Sequence, residues 1–145
     1  MPKTTCDYLA ASKRHYQDAE LLTNSGRIPN AGHLFGFAAE CGLKALLISH
    51  GLKTDPQTGE IIEPRHPKYR THINVLINSI HAFSNSRNFV RYITMMPRLT
   101  AFSDWKADHR YYDEVFIPPS LNNWSEAAKE VRTMLDQAKL DGVIV

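Results

Sequence analysis

Cysteine is scarce in this chain. Cys6 and Cys41 are the two in 145 residues, too few for the disulfide framework of a small secreted domain. Cys41 sits within an apolar stretch, where a free thiol behaves as a small hydrophobe, and the pattern fits a reducing cytoplasm. Long apolar runs are also missing. None approaches the roughly 20 residues that a membrane-spanning helix needs, and MPKTTCDYLA lacks the apolar core of a secretory signal, so the expectation is a cytoplasmic chain with no membrane role. An excess of one charge is absent too: 17 Lys and Arg stand against 15 Asp and Glu, a net +2. That is far from the basic excess of a dedicated duplex-DNA binder, so any nucleic-acid contact has to be local. There is no glycine-rich phosphate loop, no Ser-His-Asp set and no Cys-His arrangement. Asp104, Asp108 and His109 lack a second His or Cys at ligand spacing, so neither a metal nor a cofactor is expected.

What is present is helical periodicity. With 43% hydrophobic residues, the chain reads as one domain over residues 1–145, long enough to bury a single core. Thr4 and Asp7 can cap a first helix on which Tyr8, Ala11, His15, Ala19 and Leu22 share a face until Asn24-Ser25-Gly26. Pro29 suits the first turn of a second helix, from about Asn30 through Ile48 to His50-Gly51. The turn between these helices is short, so they should pack antiparallel, with Leu34, Ala38, Cys41, Ala45 and Ile48 as a core face. Residues 51–70 carry three prolines and two glycines and read as a long loop whose TDPQTGE portion turns or forms a small hairpin. Thr71 opens a third helix with Ile73, Leu76, Ile77, Ile80 and Phe83 on one side, and Phe89 to Met96 is helical again up to the break at Pro97. ADHRYYDEVFIPPS reads as an ordered loop. Asn123 with Glu126 is the expected capping pair of a last helix lined by Trp124, Ala127, Val131, Met134, Leu135 and Ala138 and ended by Asp141-Gly142. The class is all-α: a bundle of four long helices with one or two extra short ones.

The most informative stretch is HLFGFAAECGLKALLI, residues 33–48. At the helical turn angle His33, Glu40 and Lys44 fall at roughly 0°, 340° and 20°, one narrow polar stripe on an otherwise greasy cylinder. Two meanings are open: a structural polar network, or a binding or catalytic groove. In either case a half-buried carboxylate wants a cation, which Arg110 or His72 could supply. His72 beside the Thr71 cap sits where a helix N-terminus disfavours imidazolium, so a neutral His there could accept a proton; otherwise it packs or caps. RHPKYRTH gathers Arg65, His66, Lys68, Arg70 and His72 around Tyr69, either to track phosphates while the ring stacks on a base or as a solvated loop. His109, Arg110, Tyr111 and Tyr112 with Trp105 suit nucleotide or RNA stacking, or else Trp105 plugs the core beneath them.

The order of these segments, AGHLFGFAAECGLKALL after a first helix, then a loop, THINVLI, an aromatic segment, HRYY and a closing amphipathic helix, resembles the HEPN domain over nearly the whole chain. The resemblance rests on Ala39-Glu40 with Leu43-Lys44-Ala45-Leu46, on Thr71-His72 with Leu76, and on Arg110-Tyr111. It implies an up-and-down four-helix bundle, a homodimer, and a polar groove at the dimer interface formed by Glu40, Lys44, His72 and Arg110. Members of that family include metal-independent RNases, often toxins paired with a small nucleotidyltransferase, binders of nucleotides or RNA, and protein-binding scaffolds. The active ones use an Arg and a His a few residues apart. Arg27 with His33 and Arg65 with His72 have that spacing, about as many pairs as random placement of seven His would produce, and neither lies late in the bundle, where the active members carry theirs. The expectation is therefore a module that binds RNA, a nucleotide or a protein partner through His33, Glu40, Lys44, Tyr69, Arg70 and Tyr111. The alternative is a metal-independent endoribonuclease with His72 as general base and Arg65 or Arg110 stabilising the phosphorane, and a structural scaffold is the third possibility.

Overall fold

The computed structural model describes residues 3–62 and 67–144, the side chains of Pro67 and Lys68 excepted. Its helices are α1 (Tyr8–Asn24), α2 (Ile28–Ser49), α3 (Ile73–Leu76), α4 (Arg87–Thr94) and α5 (Leu121–Leu140), with 3-10 turns between α3 and α5. No strand occurs among the described residues; one antiparallel bridge, Thr54 to Ile61, closes the expected small hairpin. Asp55 holds that hairpin by accepting the amides of Gln57 and Thr58 at 2.8 and 3.1 Å. The class is all-α.

Asp7 starts α1 by accepting the Ala10 N–H at 3.0 Å, which satisfies one of the amides that a helix start leaves open. The antiparallel packing of α1 on α2 is legible in the pairs: Ser12 Oγ donates to the Ala38 carbonyl at 2.7 Å, and the Tyr16 ring meets Phe35 at 5.7 Å. Rising numbers on α1 meet falling numbers on α2. Ser12 is fully buried, and that one bond removes the cost of burying its hydroxyl.

The centre of the core lies one step round α2 from the expected face. Phe35, Ala39, Leu43, Leu46 and Leu47 are fully buried, while Leu34, Cys41 and Ile48 are half-buried and Ala38 and Ala45 buried. The difference follows from α2 being covered on three sides, by α1, α5 and α3, so that its stripes do not divide into one wet and one dry side. The absence of a membrane-length apolar run is corrected for the same reason. α2 has the length and composition of a spanning helix, but 72% of its most apolar window is buried inside this fold.

Three boundaries differ from expectation. The helix expected from Thr71 to Phe83 is a single turn, α3, followed by a 3-10 turn at Ile80–Ala82, because Asn74, Asn78 and Ser79 favour local backbone bonds over helix. Ile73, Leu76, Ile77 and Ile80 nonetheless all point inward. The last helix starts at Leu121, not at an Asn123–Glu126 cap: Ser120 Oγ binds Asp104 at 2.6 Å and Trp124 Nε1 binds the other Asp104 oxygen at 2.8 Å. Tertiary bonds thus fix that start, and the expected inward face of α5, Trp124 through Ala138, is buried throughout. Finally, the expected loop 107–120 contains two 3-10 turns, at Ala107–Tyr111 and Glu114–Phe116.

Candidate functional site

Glu40 and Lys44 lie in the middle of α2, so the two carbonyl-rich turns around them offer no free donor to a carboxylate. The structure satisfies the pair internally: Lys44 Nζ donates to Glu40 Oε2 at 3.0 Å, with both side chains only 8% exposed. The first turn of the cluster's other wall, α3, has an amide without an intrahelical acceptor at Ile73, and Glu40 Oε1 accepts it at 3.1 Å. The same oxygen lies 3.0 Å from His72 Nδ1. An ionised carboxylate only accepts, so this Nδ1 carries a proton. His72 is the N-cap residue of α3, yet its side chain makes no cap bond; it turns to Glu40, and with 51% of its side chain exposed it leaves Nε2 as the nitrogen free for a ligand. A buried carboxylate therefore orients an accessible imidazole, the outer-shell arrangement that fixes a histidine's tautomer.

His33 occupies the other end of the stripe. Its ring stacks on Trp105 at 5.1 Å and 22° and meets Phe37 in a T-shaped contact at 4.9 Å. His72 faces the same two rings, at 6.0 Å from Phe37 and 6.3 Å from Trp105. Trp105 is the expected core plug: fully buried, its indole N–H bound to the Gly32 carbonyl at 3.2 Å. It fits because Gly36 has no side chain; a Cβ there would overlap the indole. Burial lowers the His33 pKa, and the charges of His109, Arg110 and His72 lower it further. His15, at 5.9 Å from Phe37, is lowered by burial and by Arg14, against the raising effect of Asp18 and Glu40.

The remaining sequence-derived positions divide. Arg110 is exposed and lies over the Tyr111 ring at 4.8 Å; among the described residues the side chains bonded to Glu40 are those of Lys44 and His72, not Arg110, whose charge reaches His33 instead. Tyr111 is exposed and Arg70 is exposed. Tyr69 is not a platform for a base: it is 3% exposed and packs edge-on against Phe83 at 5.3 Å, because it forms part of the 3-10 turn Pro67–Arg70 that closes the long loop onto the core. Arg65 and His66 lie outside the described residues. His109 is buried, stacks on Trp124 at 6.1 Å and has its pKa lowered by burial and Lys106, opposed by Asp104 and Asp108. Phe37 belongs to the same stripe and its spacing shows it: it stands four residues after His33 and three before Glu40. Among the described residues no three of His, Cys, Asp and Glu come together as a metal would require.

Compared with protein-family models, with curated proteins and with solved structures, the chain finds no match. Its function is read from the geometry of the Glu40–His72–His33 cluster.

Proposed function

We propose that this chain is a HEPN-type helical module that binds RNA or a nucleotide phosphate through the face shared by His33, His72 and Arg110. In that reading α1, α2, α5 and the stretch from α3 to α4 stand for the four helices of the bundle. One observation carries the proposal: a half-exposed imidazole, His72, is held by a buried carboxylate in one orientation. Structural salt bridges need no such exposed, pre-aimed nitrogen, whereas phosphate and ribose recognition does. Arg110 beside an exposed Tyr111 ring adds a guanidinium for phosphate and a ring for a base. Just beyond it Val115 is 80% exposed and Phe116 74%; apolar side chains held out on ordered 3-10 turns favour burial against a second copy, which would set two such faces side by side.

The same pair supports a second reading, a metal-independent endoribonuclease. With Nδ1–H committed to Glu40, the neutral form of His72 has its lone pair on Nε2, the atom a general base needs against a ribose 2′-hydroxyl. Fluorescence anisotropy with a labelled single-stranded RNA, in EDTA, tests both. Binding weakened about tenfold or more by His72→Ala supports the module; RNA cut by the wild type but not by His72→Ala supports the nuclease. Equal binding by both proteins refutes the site.

A further inference from the structure

His33 carries an anomaly that the ion pairs do not explain. Its Nδ1 is buried and has no hydrogen-bond partner, although the ring itself is only half-buried. A buried N–H without an acceptor loses its hydration with nothing in return, at a higher cost than a buried lone pair. The proton of the neutral ring therefore belongs on Nε2. Two further features oppose a second proton on Nδ1: burial of the ring, and the charges of His109, Arg110 and His72, which lower its pKa further.

We propose that His33 is a specificity-determining donor, locked as a neutral imidazole that offers Nε2–H to a phosphoryl oxygen of the ligand held by His72. The inference rests on the binding reading above and deepens it. The two imidazoles have opposite assignments, imposed by different neighbours. Glu40 fixes the His72 proton on Nδ1 and leaves Nε2 able to accept; the Trp105–Phe37 corner leaves the His33 proton on Nε2 and able to donate. One acceptor and one donor, both set against the same two rings, match a ribose hydroxyl and the adjoining phosphoryl oxygen of an RNA strand. DNA supplies only the second of these. Being neutral, His33 adds direction without adding charge, so it contributes to selectivity more than to salt-dependent affinity.

The test has two independent readouts on the full chain. Long-range ¹⁵N–¹H spectra, with His33 assigned by its loss in His33→Gln, should show a bare Nδ1 and a protonated Nε2 at neutral pH. A charged ring, or a proton on Nδ1, overturns the inference whatever the ligand. Anisotropy with matched RNA and DNA oligonucleotides should show affinity for RNA reduced about tenfold by His33→Phe and largely restored in His33→Gln, whose amide still donates. His33→Phe binding RNA as tightly as wild type also overturns it. If the wild type binds neither RNA nor nucleotide while the spectra give the stated tautomer, the ligand assignment falls with the site reading.

Discussion

His72 Nδ1 and the Ile73 N–H meet the same oxygen of Glu40, at 3.0 and 3.1 Å. One carboxylate in the middle of α2 thus caps α3 and aims an imidazole outward. Its second oxygen neutralises Lys44, a buried ammonium that also lies 5.9 Å from the centre of the Tyr8 ring. Stability and the proposed function are joined at this group.

Glu40→Gln should therefore destabilise the fold by about 1 to 3 kcal/mol, since it removes the charge that Lys44 is buried against and weakens the bond to His72. Urea unfolding measures it. A loss indistinguishable from zero would mean that the cluster is solvated, and Glu40→Gln combined with Lys44→Met should recover part of the loss because no buried charge then remains.

Gly36→Ala forces a methyl group into the Trp105 indole. Overpacking of this kind costs about 1 to 3 kcal/mol, and it should also shift Trp105 away from His33. The expected outcome is a lower melting temperature together with a changed tryptophan emission spectrum. Unaltered emission with full stability would show that α2 and the indole are not in contact.

The pH dependence follows from the histidines. His15, His33 and His109 all have pKa values lowered from the ordinary 6.5, mainly by burial. Such groups bind protons more readily in the unfolded chain, so their contribution is fully present above about pH 6.5 and is lost as pH falls below it toward their folded values. The urea midpoint should drop over that interval, and His33→Gln should flatten the drop. A midpoint that rises on acidification through this window would contradict the burial of these rings.

Cys41 provides a check on the same wall of α2. Burial pushes its thiol up to about 11, from an ordinary 9.0, with Glu40 as the next contribution. Only the thiolate reacts, so in a Cys6→Ser background iodoacetamide should label Cys41 about a hundredfold more slowly than an ordinary thiol at neutral pH. Labelling at the ordinary rate would place Cys41 in water.

Much of this was legible in sequence, for identifiable reasons. The ends of α1 and α5 at Gly26 and Gly142, the hairpin at TDPQTGE, the inward face of α5 and the plug Trp105 all follow from local chemistry or strong periodicity. The stripe of His33, Glu40 and Lys44 was visible as an angle round a helix, and the need of Glu40 for a cation as a matter of cost, although the choice between Arg110 and His72 was not. What escaped depends on contacts across the chain. Asp104 sets the start of α5 from sixteen residues away through Ser120. Tyr69 reads as a loop aromatic until the loop is seen folding back onto Phe83. The bare Nδ1 of His33 emerges only when Trp105 is packed against Gly36.

The proposed binding face is tested most directly by mapping backbone amide shifts while a single-stranded RNA oligonucleotide is titrated into the ¹⁵N-labelled full chain. The largest changes are expected at His33, Phe37, His72, Ile73, Arg110 and Tyr111, with the hairpin around Thr54 and Ile61 unmoved. Changes centred on the hairpin or on the outer face of α5, or none at all at saturating RNA, would contradict the proposed function.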